Sequence, residues 1–216
     1  MGEDIQRWLA EQGQRFLQKA GLRAGDAVLD FGSGRGHYTI PAARVVGNRG
    51  VVYAVERNEY CLSELVREAS SLKLTNIVPL RSIEVMKRFP GGRPLEVVLL
   101  YDVIHSYYFT GEQRSNLIQS LAPMVSRNGI VSIFPHHMSS EEFEGTKKQL
   151  KALGFTVQSR MEAQLLHDTR LTSGSIYTFR KSRAAARGVH PQQTPGIRIR
   201  RESDAPQAMI YQSASS

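Results

Sequence analysis

A glycine-rich loop follows an acidic residue near the start of the sequence, and together they could hold a charged ligand. Residues 27–31 are apolar apart from Asp30 and predict a buried strand, and residues 32–36 carry three glycines before a predicted helix. Glycines at such a turn let the backbone approach a ligand, and the helix N-terminus supplies hydrogen-bond donors. The Asp30 carboxylate would repel a pyrophosphate but attract an ammonium or a sulfonium. The sequence therefore predicts a cofactor that is positively charged at this end.

The spacing of the glycines separates this loop from the loops of dinucleotide-binding proteins. Gly32, Gly34 and Gly36 give the pattern G-x-G-x-G. A dinucleotide site has the pattern G-x-G-x-x-G, which would place its third glycine where His37 stands. Together with the charge of Asp30, this spacing disfavours a nicotinamide-dependent oxidoreductase.

A second carboxylate, Glu56, ends the next predicted strand, residues 51–55. An acidic residue at this place can accept hydrogen bonds from two hydroxyl groups of a ribose. The alternatives are that Asp30 caps a helix and that Glu56 is a solvated strand end. Both would have to hold together beside the glycine loop, and this favours the ligand-binding interpretation.

These residues are positioned by a regular alternation of apolar segments and amphipathic segments. Strands are predicted at residues 27–31, 51–55, 77–80, 95–101, 129–134, 155–157 and 175–179, and helices at residues 4–20, 36–46, 59–72, 111–125 and 140–153, with a short irregular helix before residues 90–92. Apolar strands separated by helices indicate a doubly wound α/β domain, in which a parallel sheet is covered on both faces. No clear helix separates the last two strands, so one of them should be antiparallel.

Length and composition fit one globular domain followed by a tail. The chain has 216 residues, of which 41% are hydrophobic and 22% are charged, and this excludes a wholly disordered or collagen-like protein. Its single cysteine, Cys61, excludes an internal disulfide and a cysteine-rich zinc site. No apolar run is long enough to span a membrane, and the N-terminus lacks the layout of a secretion signal. We therefore expect a cytoplasmic protein.

The positive charge of the chain is concentrated at its C-terminal end. Half of the net charge of +8 falls after residue 180, where the pattern of strands and helices stops. We therefore expect a domain over residues 1–181 and a basic, mostly disordered tail over residues 182–216. Such a tail could touch nucleic acid, although a solvated tail is the simpler interpretation.

From about residue 15 to residue 180, the sequence resembles the class I S-adenosylmethionine-dependent methyltransferases. Residues 30–36 look like the first motif of that family, residues 55–58 like its second, residues 100–105 like its fourth and residues 128–131 like the turn into its fifth strand. The resemblance implies a seven-stranded, Rossmann-like and mostly parallel sheet with helices on both faces and an antiparallel last strand. It also implies a methyltransferase whose cofactor is S-adenosyl-L-methionine.

The resemblance assigns the methionine and ribose ends of the cofactor to residues of the first two motifs. Gly32, Ser33 and Gly34 would contact the methionine part through their backbone, with Asp30 nearby. Glu56 would hold the ribose.

The adenine end and the reacting methyl group are assigned in the same way. Arg57 would flank the adenine, and Ile83 would stack against the ring. Ser82 stands where the family often has an aspartate that binds the adenine amino group. Tyr101 and Asp102 would lie beside the sulfonium.

Methyl transfer from a sulfonium is a direct displacement, so the alignment of the reacting atoms supplies much of the catalysis. Asp102 and His105 are the predicted catalytic residues, with His105 as the base if the acceptor must lose a proton. His105 could equally only shape the pocket. The aromatic residues 107–109 could line a substrate site or pack against the core.

Three other histidines raise the question of a metal, and we expect no metal site. His136 and His137 are neighbours on what the pattern predicts to be a strand, so their side chains would point to opposite faces. His37 lies far from them in the sequence. Asp102 also lacks the second acidic pair that metal-dependent catechol-type methyltransferases use.

Three interpretations of the acceptor remain open. A small-molecule substrate is the leading interpretation, since residues 102–105 resemble the D-V-x-H form of the fourth motif that is common among small-molecule methyltransferases. Residues 101–104 stand where some methyltransferases have an N-P-P-Y or D-P-P-Y motif that holds a planar amino nitrogen, and this disfavours methylation of base amino groups. The alternatives are an RNA or protein acceptor docked by the basic tail, and a non-catalytic module that senses the cofactor or binds a partner. The sequence carries no signal for a particular oligomeric state.

Overall fold

The computed structural model describes residues 2–83 and 93–182 of the chain. The strands are β1 (Ala27–Phe31), β2 (Val51–Val55), β3 (Ile77–Leu80), β4 (Leu95–Tyr101), β5 (Val125–Phe134), β6 (Phe155–His167) and β7 (Arg170–Lys181). The α-helices are α1 (Glu3–Arg7), α2 (Gly13–Lys19), α3 (Thr39–Val46), α4 (Glu59–Ser71), α5 (Gly111–Leu121) and α6 (Ser140–Ala152). Shorter turns of π-helix and 3₁₀-helix lie at Trp8–Gln12, Gly47–Arg49 and Ala122–Met124.

The seven strands form one sheet in the order β3-β2-β1-β4-β5-β7-β6. β1 to β5 pair in parallel, whereas β7 runs antiparallel to both β5 and β6. This confirms the predicted doubly wound α/β fold with an antiparallel last strand. β3 lies at one edge, where Pro79 is tolerated because an edge strand has one unpaired side.

The two faces of the sheet carry separate apolar cores. Val97 and Leu99 of β4 pack with α1, α2, α3 and α4, and Val98 and Leu100 of the same strand pack with α5 and α6. Because successive strand residues point to opposite faces, a strand that is buried on both sides reads as a continuous apolar run. The run in β4 was recognisable in the sequence for this reason.

The helix predicted over residues 4–20 is divided by the π-helical turn, and its second half lies against α3. A Cβ on Gly13 would lie 2.8 Å from Cγ of Pro41 and 2.9 Å from Nε1 of Trp8, so this close approach requires glycine. The indole N–H of Trp8 donates to the carbonyl of His37 over 2.8 Å. The N-terminal helices therefore support the loop that follows β1.

The last two strands form a hairpin that is much longer than the sequence predicts. β6 and β7 pair from Phe155 and Lys181 to His167 and Arg170, whereas β5 pairs with β7 only from Arg180 to Tyr177. The rest of the hairpin extends beyond β5. Its end is fixed to the N-terminal half of the chain, because the Tyr38 hydroxyl donates to the Leu166 carbonyl over 2.8 Å.

Two predicted features lie outside the described residues. These are the end of the short helix before residues 90–92 and the basic tail from residue 183 onward. Within residues 2–83 and 93–182, no helix combines the length and the apolar character needed to cross a membrane.

Candidate functional site

A cavity of about 1080 Å³ opens at the carboxyl edge of the parallel strands. Ligands of open α/β sheets bind at this edge. The predicted site residues that line the cavity are Gly32, Ser33, Gly34, Glu56, Arg57, Ser82, Ile83, Tyr101, Asp102 and His105. The cavity is lined by the β1–α3 loop, by the segments that follow β2, β3 and β4, and by the end of the β6–β7 hairpin.

The glycine loop is fixed to β2 by its backbone. The N–H groups of Gly32 and Ser33 both donate to the Val55 carbonyl, over 2.8 and 3.0 Å. The N–H of Gly34 donates to Oε2 of Glu56 over 3.0 Å, and Oε1 of Glu56 accepts from the Asn58 N–H over 2.7 Å. Each carboxylate oxygen can accept a second hydrogen bond, so Glu56 keeps acceptor capacity on the cavity side.

The hydroxyl of Ser33 is the polar group of the loop that lacks a partner. Its Oγ is buried and has no hydrogen-bond partner among the described residues, although Ser33 borders the cavity. A buried polar atom without a partner costs free energy, and native proteins keep few of them. A polar group of a ligand in the cavity would satisfy this atom.

Asp30 does not line the cavity but lies beneath the loop. Its side chain is 3% exposed, and its Oδ2 accepts a hydrogen bond of 2.5 Å from the hydroxyl of Thr39, the first residue of α3. Burial raises the pKa of Asp30 to about 6, with a smaller upward contribution from Glu56, against the hydrogen bond of Thr39. Any effect of Asp30 on a ligand therefore acts through its charge and through the loop rather than by direct contact.

The predicted adenine side of the cavity is bounded by residues that follow β2 and β3. The guanidinium of Arg57 lies over the Tyr108 ring at 5.8 Å from its centroid, and Ile83 is 8% exposed. Arg81, next to Ser82, forms an ion pair of 2.6 Å with Glu59. On this side of the cavity Ile83 thus provides an apolar surface, and Arg57 provides a planar guanidinium.

Tyr101 forms an apolar wall at the end of β4. Its hydroxyl shares a hydrogen bond of 2.8 Å with Ser132, and its ring meets the edge of the Tyr38 ring at 4.8 Å. Burial raises the pKa of both tyrosines well above the ordinary value. Both phenols are therefore neutral.

Asp102 is the centre of a hydrogen-bonded group that also contains two histidines. Its carboxylate contacts Nδ1 of His137 at 2.9 Å and Nδ1 of His167 at 3.1 Å, and it also accepts from the backbone N–H of His137. Since an ionised carboxylate only accepts hydrogen bonds, Nδ1 of His137 is the donor in its contact with Asp102. Asp102 has φ +52°, a strained conformation that aspartate tolerates better than most residues.

His105 is nearly buried beside this group. Burial lowers its pKa, although Asp102 opposes the shift. Its Nδ1 accepts a hydrogen bond of 3.3 Å from the Tyr107 N–H, so the neutral ring carries its hydrogen on Nε2. Arg114 holds this loop in place, because it donates to the Ile104 carbonyl over 2.9 Å and pairs with Glu142.

The expectation that His136 and His137 lie on opposite faces of a strand is wrong, because β5 ends at Phe134 and both residues lie in the turn that follows. The two rings are 4.6 Å apart between centroids, and each lies near His167, at 4.6 and 5.1 Å. The opposite-face geometry that spoke against a shared metal site therefore does not occur in the structure.

The cavity also contains residues that the sequence analysis did not select. Tyr38, His137, His167 and the hairpin turn at Asp168 line it, beside the aromatic residues 107–109. The signal for His167 would have been the Asp168–Thr169 turn between two polar strands, which places the histidine at a hairpin end. Tyr38 has no local signal, since its contacts come from the N-terminal helices, β4 and β6.

Comparisons with known proteins agree with this geometry. Residues 11–97 match the model of the family described as protein-L-isoaspartate(D-aspartate) O-methyltransferase. A relative from Sulfolobus acidocaldarius, "Probable cobalt-precorrin-6B C(15)-methyltransferase (decarboxylating)", is 32% identical over 53% of this chain and 56% of its own length. The chain thus spans about half the length of this curated relative.

Solved structures share the fold over most of the chain. A SAM-dependent methyltransferase from Aquifex aeolicus superimposes with a TM-score of 0.57 at 20% identity, over 81% of this chain and 90% of its own. Magnesium protoporphyrin IX methyltransferase from Synechocystis, solved with bound SAM, gives a TM-score of 0.57 at 19% identity, over 84% and 86%. The fold is that of the class I S-adenosylmethionine-dependent methyltransferases, in agreement with the resemblance seen in the motifs.

Proposed function

We propose that this chain transfers a methyl group from S-adenosylmethionine (SAM) to a small molecule bound in the same cavity. The observation that carries the proposal is the unpartnered, buried hydroxyl of Ser33 in a glycine loop beside Glu56. When bound, SAM would supply a methyl group that passes by direct displacement from its sulfonium to the acceptor, with the neutral thioether S-adenosylhomocysteine as the leaving group. The residues around the cavity bind and align the two reactants, and alignment supplies much of the rate enhancement.

The residues of the glycine loop fit the polar parts of SAM. The Ser33 hydroxyl would take a hydrogen bond from the methionine end, and the free lone pairs of Glu56 would accept from the ribose hydroxyls. The charge of Asp30 beneath the loop would attract the cationic end. Arg57, Ser82 and Ile83 would surround the adenine, with Ile83 as the apolar surface.

The acceptor would bind against the aromatic residues that follow β4, next to the predicted adenine side. Tyr107 and Tyr108 are 75% and 55% exposed beside the cavity, and both rings lie 4.8 Å from the ring of His105. Exposed aromatic side chains with a few polar groups among them are typical of small-molecule sites. In this arrangement the buried His105 ring supports the Tyr107 and Tyr108 rings, and Asp102 orients His137. His105 as the base for an acceptor that must lose a proton stays a prediction.

Calorimetric titration with SAM tests the proposal. We expect wild-type protein to bind SAM with micromolar affinity and Glu56→Gln to bind it about 10–100-fold more weakly, since hydrogen bonds to a charged group contribute about 1.5–3 kcal/mol. Glutamine keeps the shape of the side chain and one acceptor oxygen, so at least one of the hydrogen bonds from the N–H groups of Gly34 and Asn58 is retained.

The matched control is Glu144→Gln, which removes an exposed carboxylate on α6 that pairs with Lys147. Its SAM affinity should equal that of the wild type. Wild-type protein that fails to bind SAM would refute the proposal, and equal weakening in both variants would refute the role of Glu56.

A further inference from the structure

Three histidines from two elements form a compact group at the wall of the cavity. His136 and His137 come from the turn after β5, and His167 comes from the end of β6. Each offers one ring nitrogen, and these three atoms all lie within 4.8 Å of one another. The side chains of His137 and His167 are 35% and 22% exposed, so an ion can reach them.

We propose that His136, His137 and His167 bind one divalent first-row transition metal ion of the zinc class. Neutral imidazole is a preferred ligand of Zn²⁺, Fe²⁺, Ni²⁺ and Cu²⁺, whereas Mg²⁺ prefers oxygen ligands. The site holds imidazoles from separate elements of the fold, so the ion would also tie the hairpin to the turn after β5.

Asp102 also fits a metal site, because it can fix the orientation of the histidine rings. A histidine that binds a metal usually donates its other ring N–H to a carboxylate, which fixes the orientation of the ring. Asp102 accepts a hydrogen bond of 2.9 Å from Nδ1 of His137, and its other oxygen lies 3.1 Å from Nδ1 of His167 in an ion-pair contact. The nitrogen that is left for an ion on each of these rings is Nε2, and one carboxylate orients two of the three ligands.

Three protein ligands leave a coordination position open, as in catalytic zinc sites. Because His137 and His167 line the cavity, that position is available to water or to an acceptor with a hydroxyl or thiol group. The ion would lower the pKa of such a group. This last role depends on the proposed methyl transfer, whereas the binding of the ion does not.

The test is a calorimetric titration of untagged, chelator-treated full-length protein with ZnCl₂, repeated with CoCl₂ and followed by visible absorption. We expect one Zn²⁺ per chain, cobalt bands typical of nitrogen coordination, and no competition from excess Mg²⁺. No binding of Zn²⁺ or Co²⁺ at millimolar concentration would overturn the proposal.

Variants identify the ligands. His136→Gln, His137→Gln and His167→Gln should each weaken Zn²⁺ binding at least tenfold, and Asp102→Asn about 10–100-fold, as for other residues that orient a ligand. His136 is exposed, so its variant should fold normally even if the others do not. His37→Gln is the control, because His37 lines the cavity outside this group.

A second candidate group overlaps the first, because Asp102, His105 and His137 also have ligand atoms within 4.8 Å of one another. A variant of His105 distinguishes the two groups, since only the second contains this residue. We expect His105→Gln to leave Zn²⁺ affinity within threefold. A tenfold loss in His105→Gln or in His37→Gln would overturn the assignment to His136, His137 and His167. Titration of the same preparation with SAM keeps the failure of this site distinct from failure of the proposed function.

Discussion

Gly32→Ala is expected to lower the free energy of unfolding by about 2–5 kcal/mol. Gly32 has φ +75°, where a residue with a Cβ is disfavoured by about 1–2 kcal/mol. A Cβ there would also lie 2.4 Å from Cγ2 and 3.1 Å from Cβ of Val103, and overpacking of this kind costs about 1–3 kcal/mol. Urea unfolding measures the loss, with Trp8 as the probe, because it is buried and is the only tryptophan of the chain.

Gly34→Ala is the matched control for this prediction. Gly34 has φ +53°, but a Cβ there would have no atom within 4 Å, so only the backbone penalty of about 1–2 kcal/mol applies. The difference between the two variants therefore isolates the contact with Val103. Equal losses in both would show that the loop relaxes away from Val103.

A double-mutant cycle with Val103→Ala tests the same contact from the other side. Alanine removes Cγ2, the atom at 2.4 Å, and leaves the longer contact with Cβ at 3.1 Å. We expect Gly32→Ala to be at least 1 kcal/mol less destabilising in the Val103→Ala background, a coupling energy within the range for residues in contact. Additive effects would contradict the packing argument.

The sheet and the glycine loop could be predicted because their signals are local. Strands such as β4 are apolar on both faces, and the glycines at positions 32, 34 and 36 all adopt positive φ. The position of Asp30 near the end of β1 could also be predicted from the sequence. The burial of Asp30 beneath the loop could not be predicted, because it depends on how Thr39 and α3 pack against β1.

The acceptor side of the cavity depends on contacts between distant parts of the chain. The long hairpin has mostly exposed and polar β6 residues, so periodicity marks only the part near the sheet. His167 reaches Asp102 from a position 65 residues further along the sequence only because the hairpin extends past β5. The end of β5 at Phe134 likewise decides that His136 and His137 lie in a turn. Single-residue patterns carry none of this information.

Asp30 gives the second large effect, and it acts on stability and on binding in opposite directions. Its pKa is about 6 in the folded protein against an ordinary value of 3.8. Between these values the folded state holds a proton that the unfolded chain has released, so stability falls as pH rises from about 4 to about 6. At pH 7.5 the ionised, buried carboxylate lowers stability by about 3 kcal/mol.

Asp30→Asn should remove this dependence. Asparagine keeps an acceptor for the Thr39 hydroxyl but carries no charge. In urea unfolding, the variant should gain stability over the wild type as pH rises, from near zero at pH 4 to about 3 kcal/mol at pH 7.5. Glu144→Gln, which removes a carboxylate outside the cavity, should run parallel to the wild type across the same range. A parallel curve for Asp30→Asn would contradict the raised pKa.

The same charge should favour a cationic cofactor, which would explain why a destabilising residue stands beneath the loop. If bound SAM returns Asp30 toward its ordinary pKa, affinity should rise with pH from 5 to 7.5, and binding should release a proton near pH 6. Asp30→Asn should then be more stable than the wild type at pH 7.5 yet bind SAM about 10–100-fold more weakly, without the pH dependence. Calorimetry in buffers of different ionisation enthalpy measures both the affinity and the proton released. Unchanged affinity in the more stable variant would mean that the charge of Asp30 does not serve the cofactor.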